Sequence, residues 1–259
     1  MVTFLSIITN LMFLLLGYLI GSLNTSLIIG KKFFKIDVRE HHSKNAGYTN
    51  AKRVLGSKIA ALILFIDIFK SILAVLIAFG ISYVINKDIQ SRLKNSDELV
   101  DFRAVSLITH QLYLFPIIAG IGNLIGHVWP VFFDFRGGKG VASIIGILVT
   151  INIILVVIFI IVYFIVLYFW KYVSLSSALA ASISGLFALI PWISADILGY
   201  FNGYGDMFWL KTNLFYITFI FYLLALAVLL WSHRSNFIRI KEKTERKVDL
   251  FKNNKNVKL

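Results

Sequence analysis

The chain has no cysteine among its 259 residues, which excludes disulfides, thiolate nucleophiles and cysteine-ligated metal. Acidic side chains are scarce, 13 Asp and Glu against 26 Lys and Arg. Its five histidines include no HExxH pair, so that zinc-hydrolase signature is missing. A Walker A loop is missing too, because Lys139 is followed by Gly140 rather than Ser or Thr and the upstream glycine spacing is wrong. Nucleotide binding is therefore not implied. The first apolar run lacks the basic start and small-residue cleavage site of a signal peptide and reads as an uncleaved span. With no internal repeat and no soluble domain, residues 1–259 read as a single membrane domain.

What remains is strongly apolar: 58% hydrophobic, 15% aromatic, mean hydropathy +0.81. Several apolar runs reach about 20 residues, the length that crosses a bilayer, so the fold class is an all-α polytopic membrane protein. Charge is only 15% of the chain yet sums to +13. Those cations must sit in the few polar connections, where they mark the cytoplasmic side; nucleic-acid binding is the weaker reading of the charge.

Residues 4–29 form a first span, and the basic stretch 31–57 after it should face the cytoplasm. A second span, 58–85, carries Asp67 and Lys70 three residues apart on one helical face, where they can pair. Such a pair either ties helices together or marks function, since ionisable groups are expensive inside a bilayer. The connection 86–103 has balanced charge and suits the outer side. The third span, 104–126, contains Pro116, which predicts a kink, with His110 and Gln111 near its outer end as interfacial residues. His127 follows at the inner interface, where a histidine reads as a hydrogen-bonded spacer.

The run 141–170 is too long for one crossing, since as one helix it would measure about 45 Å against about 30 Å of hydrocarbon. One crossing would also leave the basic tail outside. A break at Thr150-Ile151-Asn152 makes a short helix and a longer return, and the count becomes seven, N-terminus outside and C-terminus inside. The sixth span, 172–199, has Asp196 near its outer end and opens on Ser174, Ser176 and Ser177, which read as helix caps or as ligands. An aromatic outer loop, 202–211, leads to the seventh span, 212–231, and a basic tail whose end, 246–259, is expected to be disordered beside anionic lipid.

Phe135-Arg136-Gly137-Gly138-Lys139-Gly140-Val141-Ala142-Ser143 is a loop feeding the short helix. Free N–H groups and the positive dipole end at a helix start suit a phosphate or carboxylate, and Arg136 and Lys139 add full charges. A broken helix with its N-terminus at a polar cavity is how membrane proteins place anion sites. The polar stretch 37–53 resembles a shaped binding surface more than a linker. In the seven-span topology it meets the glycine loop, the 172–177 turn and residues 233–236 on the cytoplasmic face.

On these residues the chain resembles the bacterial acyl-phosphate:glycerol-3-phosphate acyltransferase family of integral membrane enzymes over nearly its whole length. Ser43, Asn45, Gly47, Thr49, Asn50 and Arg53 match one motif. Gly126, His127, Pro130, Val131, Phe132 and Gly137 to Ala142 match a second, and His233, Arg234 and Asn236 a third. Three positions depart: His42 and Lys44 stand where the family usually has glycine, and Ser235 where it has glutamate.

The resemblance implies transfer of a fatty acyl group from acyl-phosphate to the 1-hydroxyl of glycerol 3-phosphate, giving lysophosphatidic acid and phosphate. It implies seven membrane helices in a bacterial plasma membrane, no metal and no other cofactor, a cytoplasmic site, and a soluble enzyme that supplies acyl-phosphate. Ser43, Arg53, His233 and Asn236 are the implied catalytic residues. Gly137, Gly138, Lys139 and Gly140 would bind phosphate, Asn45 and Asn50 would bond the acyl-phosphate, and Gly47, Thr49, Ser174 and Ser177 would complete the substrate site. The residues alone also allow a transporter for a phosphorylated metabolite or lipid, or a membrane scaffold.

Overall fold

The structure is a computed structural model that describes residues 2–94, 114–194 and 216–248. The expectations for residues 95–103, for His110, Gln111 and Asp196, for the 202–211 loop and for the tail beyond residue 248 lie outside the described residues.

The first span is two helices, α1 (Val2–Ser22) and α2 (Thr25–Phe33). They part at Asn24, whose side chain accepts the Leu27 N–H and Ser26 hydroxyl and so caps α2. After a 3₁₀ turn, Val38–Glu40, come α3 (Tyr48–Leu55) and α4 (Ser57–Lys94). The basic stretch is thus partly helical, and α4 runs past the predicted end at residue 85. Pro116 stands just before α5 (Ile117–Val128), a position where its missing N–H leaves no helical bond unmade. It starts the described helix, and the residues on the other side of the expected kink, 104–113, lie outside the described residues.

The predicted break occurs. α6 (Val141–Ile151) ends at Asn152, whose backbone is extended (φ −166°, ψ 136°), and α7 (Ile153–Trp170) begins beyond it. The Asn152 N–H donates to Leu148, its side-chain oxygen accepts from Ile154, and its amide donates to Ile193. One residue thus bonds groups at both helix ends, which lowers the cost of the interruption in an apolar interior.

The sixth segment is interrupted within its described part, and its expected end at residue 199 lies outside the described residues. α8 covers Val173–Phe187, and a tight turn leads to the single helical turn Pro191–Ser194. Proline lacks an N–H and disfavours helical backbone before it, so the helix closes ahead of residue 191. α9 (Tyr216–Ser232) and α10 (Arg234–Lys241) bend by 51° at His233.

Helices α1 and α5 lie backbone to backbone. A Cβ on Gly17 or Gly21 would come within 2.1 Å of a carbonyl oxygen of α5, and one on Gly122 or Gly126 equally close to carbonyls of α1. Both helices therefore present glycines four apart, the close-packing device of membrane helices. The main core joins α5 to α9 through Leu124, Ile147, Leu148, Leu155 and Tyr222, whose hydroxyl donates to Ala181. Phe65, Phe69, Ile161, Phe164 and Phe169 point outward from α4 and α7. Among the described residues three helices are long and apolar enough to cross a membrane, α1 with α2, α4 and α7, or up to four if the bent pair of α9 and α10 counts as one span; three shorter apolar helices pack with them.

Candidate functional site

Asp37 builds the first wall. Its carboxylate accepts the Arg39 N–H and pairs with Arg39 at 2.8 Å and Lys31 at 3.1 Å, and the Arg39 guanidinium holds it well below the usual carboxylate range. Buried Arg39 then reaches across the fold to the carbonyls of Phe133 and Arg136. Alongside it the Ala46 N–H donates to the Gly137 carbonyl, and the Ser26 hydroxyl to the Ala46 carbonyl. The segment holding Ser43 and Asn45 is thereby pinned against the glycine loop.

Asn50 is buried and bonds within its own loop. Its amide nitrogen donates to the carbonyls of Val38 and His41, and its oxygen accepts the Ser43 N–H at 3.2 Å. Both donors are used, so the expectation that Asn50 bonds acyl-phosphate is corrected: it shapes the loop that presents Ser43. Ser43 is exposed, Asn45 and Thr49 are half-buried, and Gly47 opens α3 with its carbonyl accepting from Asn50 and Ala51.

His42 and Lys44, the residues standing for glycine, both take left-handed backbone, φ 49° and 53°. The loop keeps a glycine-like path under strain. Left-handed backbone costs a residue with a Cβ about 1–2 kcal/mol, of which the greater freedom of unfolded glycine returns about 0.5–1. Lys44→Gly should therefore stabilise the protein by about 0.5–1 kcal/mol. Its melting midpoint, read by tryptophan fluorescence, should rise; a fall would show that the lysine side chain outweighs its backbone strain.

The glycine loop folds back on α5. The N–H groups of Gly137 and Gly138 donate to the carbonyls of Val128 and His127 at 3.1 and 3.0 Å. A Cβ on Gly137 would meet the His127 carbonyl oxygen, and one on Gly138 the His127 ring nitrogen Nε2, each at 2.1 Å. These amides are thus not free for phosphate, contrary to the sequence expectation, and the two glycines serve close approach. Gly140 turns the chain with φ +83° into α6. The first N–H groups of that helix have no carbonyl within it, so anion donors are sought there and at Lys139.

Lys139 links the loop to the tail. Its ammonium donates to the Asn236 side-chain oxygen, and its carbonyl accepts the Ser232 hydroxyl. The Asn236 amide donates to Glu245 at 2.6 Å, which also accepts from Arg239 at 2.7 Å and the Ser174 hydroxyl at 3.3 Å. Burial, with the nearby charges of Arg239 and Arg53, pushes the Lys139 ammonium down to about 8. Burial and the Arg246 charge lower Arg53 as well. Burial alone would raise Glu245, but hydrogen bonds from Asn236 and Arg239 hold it below the ordinary carboxyl value.

Buried His233 sits beside this network. Its Nδ1 lies 2.9 Å from the Leu229 carbonyl, which can only accept, so Nδ1 carries the hydrogen and Nε2 the lone pair. Burial pushes this histidine down to about 4, and the ring is neutral at pH 7.

Serines 174, 176 and 177 do not cap α8. Ser176 and Ser177 donate to carbonyls four residues back. Ser177 is thus spent on its own helix, whereas Ser174 joins the network through Glu245. Ser235 is exposed, and the carboxylate that meets Asn236 in this network is Glu245. Glu245 and Arg239 were not singled out from the sequence; the available signal was the rarity of acids in the basic tail. Among the described residues no cluster of His, Asp or Glu could hold a metal ion.

A family model described as glycerol-3-phosphate acyltransferase matches residues 11–243. The glycerol-3-phosphate acyltransferase of Mycoplasmopsis synoviae (strain 53) is 42% identical over 247 residues, 95% of this chain and 97% of the relative. That of Shouchella clausii (strain KSM-K16) is 34% identical over 235 residues, covering 90% and 93%. The crystal structure of PlsY (YgiH), an integral membrane glycerol 3-phosphate acyltransferase, in its glycerol 3-phosphate form, superposes with a TM-score of 0.65 at 25% identity, covering 94% of this chain and 99% of that one.

Proposed function

We propose, on the premise that this chain belongs to the glycerol-3-phosphate acyltransferase family, that its acyl donor is an acyl-phosphate and that Lys139, Asn236 and His233 form the reaction centre. The protein is a glycerol-3-phosphate acyltransferase of the integral membrane kind. In the proposed reaction the 1-hydroxyl of glycerol 3-phosphate attacks the acyl carbonyl carbon. A carbon–oxygen ester bond forms, the bond from that carbon to the bridging phosphate oxygen breaks, and phosphate leaves with the electron pair.

Neutral His233, with Nδ1–H held by Leu229, offers Nε2 to the hydroxyl proton. Lys139, Arg53 and the start of α6 take the phosphate charges, Asn236 orients the glycerol, and Ser43 and Asn45 bond the acyl-phosphate and the developing oxyanion. Gly47, Thr49, Gly137, Gly138 and Gly140 shape the walls, and Ser174 acts through Glu245. The observation that carries this reading is the bond from Lys139 to Asn236, which unites the glycine loop and the tail beside His233.

The transporter reading is disfavoured because the polar links Ala46–Gly137, Arg39–Phe133, Lys139–Asn236 and Ser174–Glu245 gather at one end of the helices. A transport site would sit near the midplane. We take α1 with α2, α4, α5, α6, α7, α8 and α9 as seven crossings of a bacterial plasma membrane, with that end cytoplasmic. A soluble enzyme would deliver the acyl-phosphate there.

Sealed vesicles test donor and orientation together, because glycerol 3-phosphate does not cross lipid unaided. Inverted vesicles should form lysophosphatidic acid from added glycerol 3-phosphate and acyl-phosphate without CoA, metal or nucleotide, and right-side-out vesicles should not. Product only with acyl-CoA would overturn the donor; product only from right-side-out vesicles would overturn the orientation.

A further inference from the structure

The Asp67–Lys70 pair expected from the sequence forms at 2.8 Å, but it is part of a larger assembly. The Lys70 ammonium also donates to the carbonyls of Gly21 and Leu23, at the break between α1 and α2. The same Asp67 oxygen accepts the hydroxyl of Thr25, first residue of α2, at 2.7 Å. His127 of α5 completes the group, its Nδ1 lying 3.4 Å from Lys70 and 3.8 Å from Asp67. Asp67, Lys70 and His127 are only 2%, 7% and 3% exposed. Exchanging a buried ionic cluster for apolar side chains of similar volume is often neutral or stabilising, so packing alone does not call for these three groups.

Both loops of the site stand on this cluster. The other edge of the His127 ring lies under Gly138, where a Cβ would meet Nε2 at 2.1 Å, and the His127 carbonyl accepts the Gly138 N–H. Next to Thr25, the Ser26 hydroxyl holds the Ala46 carbonyl at 2.6 Å, and Ala46 bonds Gly137 in turn. We propose that His127 is a positioning residue, held by Asp67 and Lys70 on one edge and setting with the other the height of Gly138, and thus the placement of Lys139 and the start of α6 for glycerol 3-phosphate. This rests on the acyltransferase reading and adds to it a residue that touches no substrate.

Asparagine places its amide near where Nδ1 stands and leaves the space of Nε2 empty, so His127→Asn separates the two edges. Purified full-length His127→Asn should melt close to the parent yet bind glycerol 3-phosphate about tenfold more weakly, for loss of roughly one hydrogen-bond-sized contribution to loop placement. His127→Gln, which restores a polar atom near Nε2, should recover most of that loss. Gly138→Ala should be severe in the parent, where the new methyl meets the ring, and nearly silent when added to His127→Asn. Affinity is read by calorimetry and turnover beside it. A wrong donor would silence turnover in parent and variants alike and leave the affinity comparison intact. Unchanged affinity in His127→Asn, or equal damage from Gly138→Ala on both backgrounds, would overturn the proposal. Should His127→Asn fail to fold, the Gln variant decides: affinity within threefold of the parent supports the role of Nε2, and a tenfold loss refutes it.

Discussion

His233→Ala should lower kcat by about 10²- to 10⁴-fold, the usual contribution of a positioned proton acceptor, and change the affinity for glycerol 3-phosphate far less. The expectation rests on the bond that fixes Nδ1–H to Leu229 at 2.9 Å and so reserves Nε2 for the hydroxyl. It carries a pH signature. Burial lowers this histidine to about 4, so the reactive neutral form prevails above that value, and kcat should fall as pH drops through about 4. Steady-state kinetics between pH 4 and 7 would check both points. A variant with kcat within tenfold of the parent would remove His233 from the chemistry and leave a substrate phosphate oxygen as the base.

Lys139→Ala should raise the KM for glycerol 3-phosphate by about 10- to 150-fold, the weight of one hydrogen bond to a charged group, about 1.5–3 kcal/mol. The effect should be steeper at low ionic strength, where screening is weaker. In the parent the ammonium deprotonates near 8. A base with a lowered value loses its charge as pH rises, so KM should climb above pH 8. Arginine stays protonated through this range, and Lys139→Arg should abolish the climb even where its geometry weakens binding. A Lys139→Ala enzyme with the parent's KM at pH 7 would show that Arg53 and the helix start bind the phosphate without it.

Local chemistry was legible in the sequence; tertiary assignment of the same groups was not. Length against bilayer thickness located the break at Asn152, spacing located the Asp67–Lys70 pair, and three glycines ahead of an apolar run located the loop before α6. His42 and Lys44, which stand where the resembled family usually has glycine, adopt positive φ, a path that the sequence did not assign to them. The partners of Asn50 and of the Gly137 and Gly138 amides were hidden, because each loop folds back on Val38, Val128 or His127 about ten positions earlier along a path that residue spacing does not specify. His127 read as an isolated spacer because Asp67 and Lys70 lie about 60 positions away along the chain and meet it only through helix packing. The α1–α5 contact had a visible signal in Gly17 and Gly21 against Gly122 and Gly126, each pair four apart.

The shortness of α8 bears on the surrounding lipid. Its 15 residues rise only about 22 Å, against about 30 Å of hydrocarbon, and Leu179, Leu186 and Phe187 face outward along it. In the seven-crossing arrangement proposed above, a crossing made by α8 alone thins the bilayer beside it, at a cost of fractions of a kcal/mol per Å of mismatch. Longer and straighter acyl chains increase that cost, and shorter or kinked ones relieve it. In that arrangement the enzyme's footing is coupled to the chain length of the membrane its own product helps to build.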